Sequence, residues 1–201
     1  MNSKTVLGLK ILTMILVSIA FIFYIIAIST DHWQTTKYKV GVHNIGIFSG
    51  HSHETQSTYQ SLYQYTSSHS GIWNGCATLE GKKICSTLKA QFAWIRSVRA
   101  FMALTIISMA VVFVYVIAAF FRPDLVFKFP GVMSVITALF ALLALAVYTG
   151  KSGVPADNNR LKSAFSWSFI LGWSGWVLNI VVAVLCFIIP DDFDKIQNNK
   201  L

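Results

Sequence analysis

The sequence predicts an all-α membrane protein with a small β element, a bundle of four transmembrane helices carrying one extracellular antiparallel sheet. Three observations predict it. Of the 201 residues, 55% are hydrophobic and only 12% are charged, about half the charge of a soluble globule. The mean hydropathy is +0.60, so lipid is the expected solvent. The apolar residues gather into four long runs, and the longest polar stretch between them holds two cysteines, Cys76 and Cys85.

Each run is long enough to cross about 30 Å of hydrocarbon at about 1.5 Å per residue. The first spans residues 6–29, with Lys10 one turn inside and able to snorkel to the near interface. A cleaved signal peptide is the competing reading, but the run far exceeds a normal signal core, which favours a retained signal-anchor helix. The second spans 100–121 and stops at Arg122-Pro123-Asp124; the third spans 131–149; the fourth spans 165–189 and stops at Pro190. These place an extracellular loop at 30–99, a cytoplasmic loop at 122–130, a second extracellular loop at 150–164 and a cytoplasmic tail at 190–201, all in a single domain. Charge sets the orientation. With both termini inside, the inner segments hold Lys4, Lys10, Arg122, Lys128, Lys195 and Lys200, against Lys151, Arg160 and Lys162 in the third loop. The first loop is too long for its charges to count.

Helix seams follow from spacing. Ser168, Gly172, Gly175 and Asn179 fall on one stripe of the fourth helix, where small residues admit a neighbour and Asn179 needs a polar partner. Thr137, Ala141, Ala144 and Tyr148 make a comparable stripe on the third. No acid, arginine or histidine lies deep in a span, which disfavours a transporter or proton relay.

The first loop holds all five histidines. Trp33 to Phe48 alternates loosely and reads as one or two strands. Ser49 to Ser70 is polar without period and reads as a hairpin tip or loop. His51 and His53 alternate inside it, but two histidines without further ligands describe a solvated tip better than a metal site. A hairpin turn at Glu80-Gly81 sets Leu79 opposite Lys82 and Cys76 opposite Cys85, with Cα atoms about 4.5 Å apart. A longer turn would keep the same pairing. That geometry suits a cross-strand disulfide closing a small loop, a contribution of about 2.5–3 kcal/mol. Free thiols or half a zinc site are the alternatives. Ala77 and Ile84 then face each other beside Trp73, an apolar side to set against the helix tops.

Trp33, Gly71-Ile72-Trp73, Cys76 and Cys85 resemble the W…GLW-x-x-C…C signature of the claudin, epithelial membrane protein and peripheral myelin protein superfamily, with Ile72 in place of the usual Leu. Thr30-Asp31-His32-Trp33, Arg99-Ala100-Phe101-Met102, Leu143 to Gly150 and Phe165 to Trp173 resemble its lens fibre membrane intrinsic protein branch. The resemblance implies a left-handed bundle whose sheet is held by Trp33, Trp73 and Arg99. It implies a non-enzymatic plasma-membrane protein, without cofactor, that organises cell–cell contact or membrane structure. Its partners would be the bilayer and itself, or a membrane channel or receptor in the manner of a gamma subunit; paracellular pore formation ranks third. The net charge of +8 is scattered loop charge, not a nucleic-acid footprint.

Overall fold

The computed structural model describes residues 3–41, 63–79, 82–88, 93–122, 125–154, 156–158 and 161–190. His51, His53, the Glu80-Gly81 turn and most of the tail lie outside them. Four helices, α1 (Ser3–Ser29), α2 (Ala93–Phe121), α3 (Lys128–Lys151) and α4 (Trp167–Ile188), are long and apolar enough to cross a membrane. Their packing is cyclic: α2 on α3, α3 on α4, α4 on α1 and α1 on α2.

Six strands cap one end of this ring: β1 (Gln34–Gly41), β2 (Tyr63–Ser70), β3 (Asn74–Leu79), β4 (Lys82–Thr87), β5 (Ala156–Asn158) and β6 (Leu161–Phe165). They form one sheet in the order β4-β3-β2-β1-β6-β5, with every neighbour antiparallel. The chain leaves α1 and α3 and enters α2 and α4 at this end, while the α2–α3 connection lies at the other. The expected four-helix architecture with a small antiparallel sheet is present.

The second helix starts at Ala93, so Trp94 to Arg99 extend it above the apolar run. Other boundaries differ from those read in the sequence. The third starts at Lys128 and ends at Lys151, shortening both flanking loops. Phe165 closes β6 instead of opening the fourth helix. The stretch expected as a tip from Ser49 to Ser70 contains β2 in its last eight residues. Tyr63–Ser70 pairs with β1 along its whole length and with β3 over Ser67–Ser70, so ladder hydrogen bonds hold it as a strand. The loop at 150–164 supplies β5 and β6, and β6 pairs with β1. The two connections at this end thus share one sheet.

The α4 stripe lies in the groove between α1 and α3 and touches them in turn. Ser168 Oγ accepts from Thr30 Oγ1 at 2.6 Å and lies 3.3 Å from the Ala27 carbonyl. A Cβ on Gly172 would meet the Leu145 side chain at 3.1 Å and Ala27 at 3.8 Å; one on Gly175 would meet the Tyr24 ring at 3.3 Å. Asn179 is fully buried and its Nδ2 donates to the Ser134 carbonyl at 3.0 Å. The α3 stripe faces α2 as well, where the Thr137 and Ser108 hydroxyls meet at 2.9 Å. Trp176 Nε1 adds a bond to the Ala138 carbonyl at 3.1 Å. At the far end the Lys10 ammonium lies 5.3 Å from the Phe127 ring centroid.

Interhelical polar contacts in lipid are worth about 0.6 kcal/mol on average and at most about 1.7. Asn179→Ala should therefore lower bundle stability in micelles by about 0.6–1.7 kcal/mol and leave the Cys76–Cys85 bond formed. Unfolding followed by tryptophan fluorescence beside a non-reducing gel measures both; unchanged stability would show the Asn179 bond to be idle.

Candidate functional site

The site is the junction where the sheet sits on the helix ends, together with the cap surface it supports. Trp33 is its centre. It follows the C-terminus of α1 by four residues and is fully buried. Its Nε1 turns back to donate to the Ala27 carbonyl at 2.6 Å, one of the last-turn carbonyls for which a helix has no partner of its own. Its backbone N–H donates to Ser70 of β2 at 3.0 Å, and its carbonyl accepts from Ser166 at the start of α4 at 2.9 Å. One residue thereby ties α1, β2 and α4. The indole packs edge-on against Tyr148 of α3, with centroids 4.7 Å apart, and against Phe169 of α4 at 5.6 Å. Ala27, Ile72, Val98, Met102, Ala144, Leu145, Tyr148 and Phe169 complete this buried cluster with Trp33.

The turn Gly71-Ile72-Trp73 seats the second tie. Gly71 N–H donates to Asn74 at 2.9 Å, and a Cβ at 71 would collide with the Thr30 carbonyl oxygen and lie 2.7 Å from Asp31 Cα. Only glycine lets the turn rest on the end of α1. Ile72 points down and is 1% exposed. Arg99 of α2 then clamps both ends of the β3–β4 hairpin: Nε donates to the Ile72 carbonyl and an NH2 nitrogen to the Leu88 carbonyl, each at 2.8 Å. Its guanidinium stacks over the Trp73 ring, 4.8 Å from the centroid.

Cys76 and Cys85 face each other across β3 and β4, joined by a disulfide with Cα atoms 4.0 Å apart. The register places Leu79 opposite Lys82 and Ala77 opposite Ile84. The apolar side expected to face the helix tops does not do so: Ile84 is 59% exposed and Trp73 41%. Ile72 occupies the seat against the helices, which leaves the next residue to lie on Arg99 and the hairpin to project outward. All six residues of β4 are exposed.

Beside the disulfide lies a group that motif reading passed over. His32 Nδ1 is 2.7 Å from Asp31 Oδ1, and His69 Nε2 is 3.4 Å from Asp31 Oδ2. The imidazoles stack with centroids 4.3 Å apart, and His32 also tilts against Trp167 at 5.5 Å. Burial first, and then His32, hold the His69 imidazole below its usual range despite an opposing pull from Asp31. Cys76 Sγ sits 3.3 Å from Asp31 Oδ2; a disulfide sulfur has no proton to donate, so this is a packing contact. Asp31 and His32 stand in the motif before Trp33, but His69 is 37 residues further along and only the β1–β2 register brings it in.

Comparison with known proteins agrees with this architecture. Residues 7–186 match the PMP-22/EMP/MP20/Claudin family. The chain is 26% identical over 168 residues to the lens fiber membrane intrinsic protein of Rattus norvegicus, covering 81% of this chain and 80% of the relative. The Homo sapiens protein of that name is 28% identical over 157 residues, 76% of this chain and 74% of the relative.

Hydrogen bonds to a charged donor contribute about 1.5–3 kcal/mol, and a lysine cannot reproduce the planar fork or the stack. Arg99→Lys should weaken attachment of the β3–β4 hairpin by about 1.5–3 kcal/mol. The expected result is faster protease cleavage in residues 73–88 under non-reducing conditions, with the four spans still protected; an unchanged cleavage rate would contradict the clamp.

Proposed function

Because the chain belongs to the PMP-22/EMP/MP20/Claudin family, we propose that it is a multi-pass plasma-membrane protein that organises cell–cell contact or membrane structure through its sheet, without catalysis. In this reading both termini are cytoplasmic and the sheet faces outside. The disulfide supports that side for the cap, since such bonds persist in oxidising compartments. With the long first loop left out of the count, Lys and Arg favour the opposite end six to three, which supports it too.

The observation that carries the reading is the position of β4. It ends the strand order, every residue of it is exposed, and it is fixed to β3 by the disulfide. An edge strand presents a row of backbone donors and acceptors to another chain, and here Ile84 and Trp73 add apolar surface beside it. Lys82 and Lys83 bias the edge toward partners that tolerate or complement positive charge. The polar side chains of β4 thus lie on an open strand edge and not in an enclosed pocket.

The same ledge would serve an auxiliary subunit on a channel or receptor, so the client decides between the two roles. The exposed apolar face of α2 at Ile107, Val111 and Val114 would then lie on a partner helix as well as on lipid. A paracellular pore would line itself with the cap lysines and pass anions.

Cross-linking in native membranes followed by mass measurement separates these outcomes. Contact through the cap predicts discrete multiples of the chain mass that disappear when Ile84 is changed to Lys. A single heavy adduct at constant stoichiometry, unaffected by Ile84→Lys, would replace self-association with the auxiliary role.

A further inference from the structure

Asp31, His32 and His69 lie where three elements meet: the end of α1, the approach to β1, and β2. We propose that Asp31, His32 and His69 form a site for a divalent cation of the zinc class, with two imidazole nitrogens and one carboxylate oxygen as ligands.

Geometry comes first. One donor atom from each residue lies within 4.8 Å of the others. The two histidine–carboxylate separations are 2.7 and 3.4 Å. Nitrogen and oxygen ligands bind Zn²⁺ at about 2.0–2.2 Å, which puts tetrahedral ligand atoms about 3.3 Å apart. The widest separation therefore has to close by at most about 1.5 Å, a distance that rotation of the two rings about their own side-chain bonds supplies. In closing, the parallel stack opens, because both in-plane lone pairs must aim at one point. The stack is exchanged for two coordinate bonds.

A second observation points to a ligand. His69 is only 17% exposed, yet its Nε2 is buried and makes no hydrogen bond, despite Asp31 at 3.4 Å. A buried imidazole nitrogen met only by a carboxylate at that distance, outside hydrogen-bond geometry, gains from a ligand that occupies its lone pair. The ion pairs that Asp31 makes among the described residues are with the two histidines. The third is chemistry. Two neutral imidazoles with one carboxylate form a borderline donor set that suits Zn²⁺ or Cu²⁺ better than Ca²⁺ or Mg²⁺. Three protein ligands leave a fourth position for water or for a group on a neighbouring molecule.

The ligands stand on fixed backbone. His32 precedes the buried Trp33, and its carbonyl accepts from Ser168 at 3.2 Å. His69 is paired on both sides, with Thr35 of β1 and Cys76 of β3. A bound ion would therefore pin the exit of α1 to the middle of the sheet beside the disulfide, stiffening the cap when the ion is present.

The test uses the full-length, disulfide-intact protein in micelles and Zn²⁺ alone, titrated in competition with a chromophoric chelator. One Zn²⁺ per chain is expected. His32→Gln and His69→Gln should each weaken binding by at least about tenfold, and Zn²⁺ should raise the midpoint of thermal unfolding of the parent chain. A variant with His43, His51 and His53 all changed to Gln should bind as the parent does. Should either histidine variant lose its disulfide, Asp31→Asn is judged by the same tenfold criterion. Absence of binding, binding in His32→Gln and His69→Gln as tight as in the parent, or loss confined to the variant lacking the other three histidines would overturn the site.

Discussion

A helix ends with carbonyls that have nothing within the helix to accept from, and α1 ends beneath a sheet where water is scarce. Everything above the bundle depends on how the carbonyl of Ala27 is met. The Trp33 indole reaches it at 2.6 Å, and the Ser168 hydroxyl stands beside it at 3.3 Å. A hydrogen bond of this kind contributes only about 0.5–1.5 kcal/mol net, but leaving a buried carbonyl unmet costs about 1–3. The asymmetry makes the contact a constraint on where the chain can go after α1. To place its indole there, the chain must turn within the four residues after α1, and β1 then starts at Gln34. The same residue's backbone bonds to Ser70 and Ser166 then locate β2 and α4.

The Arg99 clamp repeats the principle from another helix. Its donors meet two carbonyls at the ends of the β3–β4 hairpin, and its face covers Trp73. Both fastenings run from a side chain to backbone carbonyls. The residues of the cap's outer strands take no part in them, so the exposed surface can change without loosening the attachment. The bundle below is equally economical: one stripe of α4 packs on α1 and α3 alternately through Ser168, Gly172, Gly175 and Asn179.

The parts of this structure that sequence reading reaches are those set by local rules. Apolar runs about as long as the hydrocarbon is thick, or longer, announced the helices, and their spacing of small residues located the α4 seam. The eight residues between Cys76 and Cys85 were enough to derive the β3–β4 register. What stayed hidden depends on distant pairing. Ala156–Asn158 and Leu161–Phe165 are too short and too mixed to read as strands until β1 is beside them. Tyr63–Ser70 becomes a strand through its pairing with β1 and, over Ser67–Ser70, with β3. The hairpin's outward tilt escaped for a related reason: alternation tells which residues share a face, not which face meets the bundle. The Asp31, His32 and His69 group needed the register between β1 and β2 before its members could be seen as neighbours.

If Trp33 and Arg99 fasten the sheet to the helix ends as one body, cap and helix termini should open together. Amide hydrogen exchange in the native protein reads this directly. The account predicts that the backbone N–H groups of Trp33, Gly71, Leu88, Ser166 and Ser168 share one opening free energy, close to that of the last turn of α1. Fast exchange at Gly71 and Leu88 beside full protection at Ser166 and in α1 would contradict it, because the sheet would then be a loosely tethered lid and not part of the bundle.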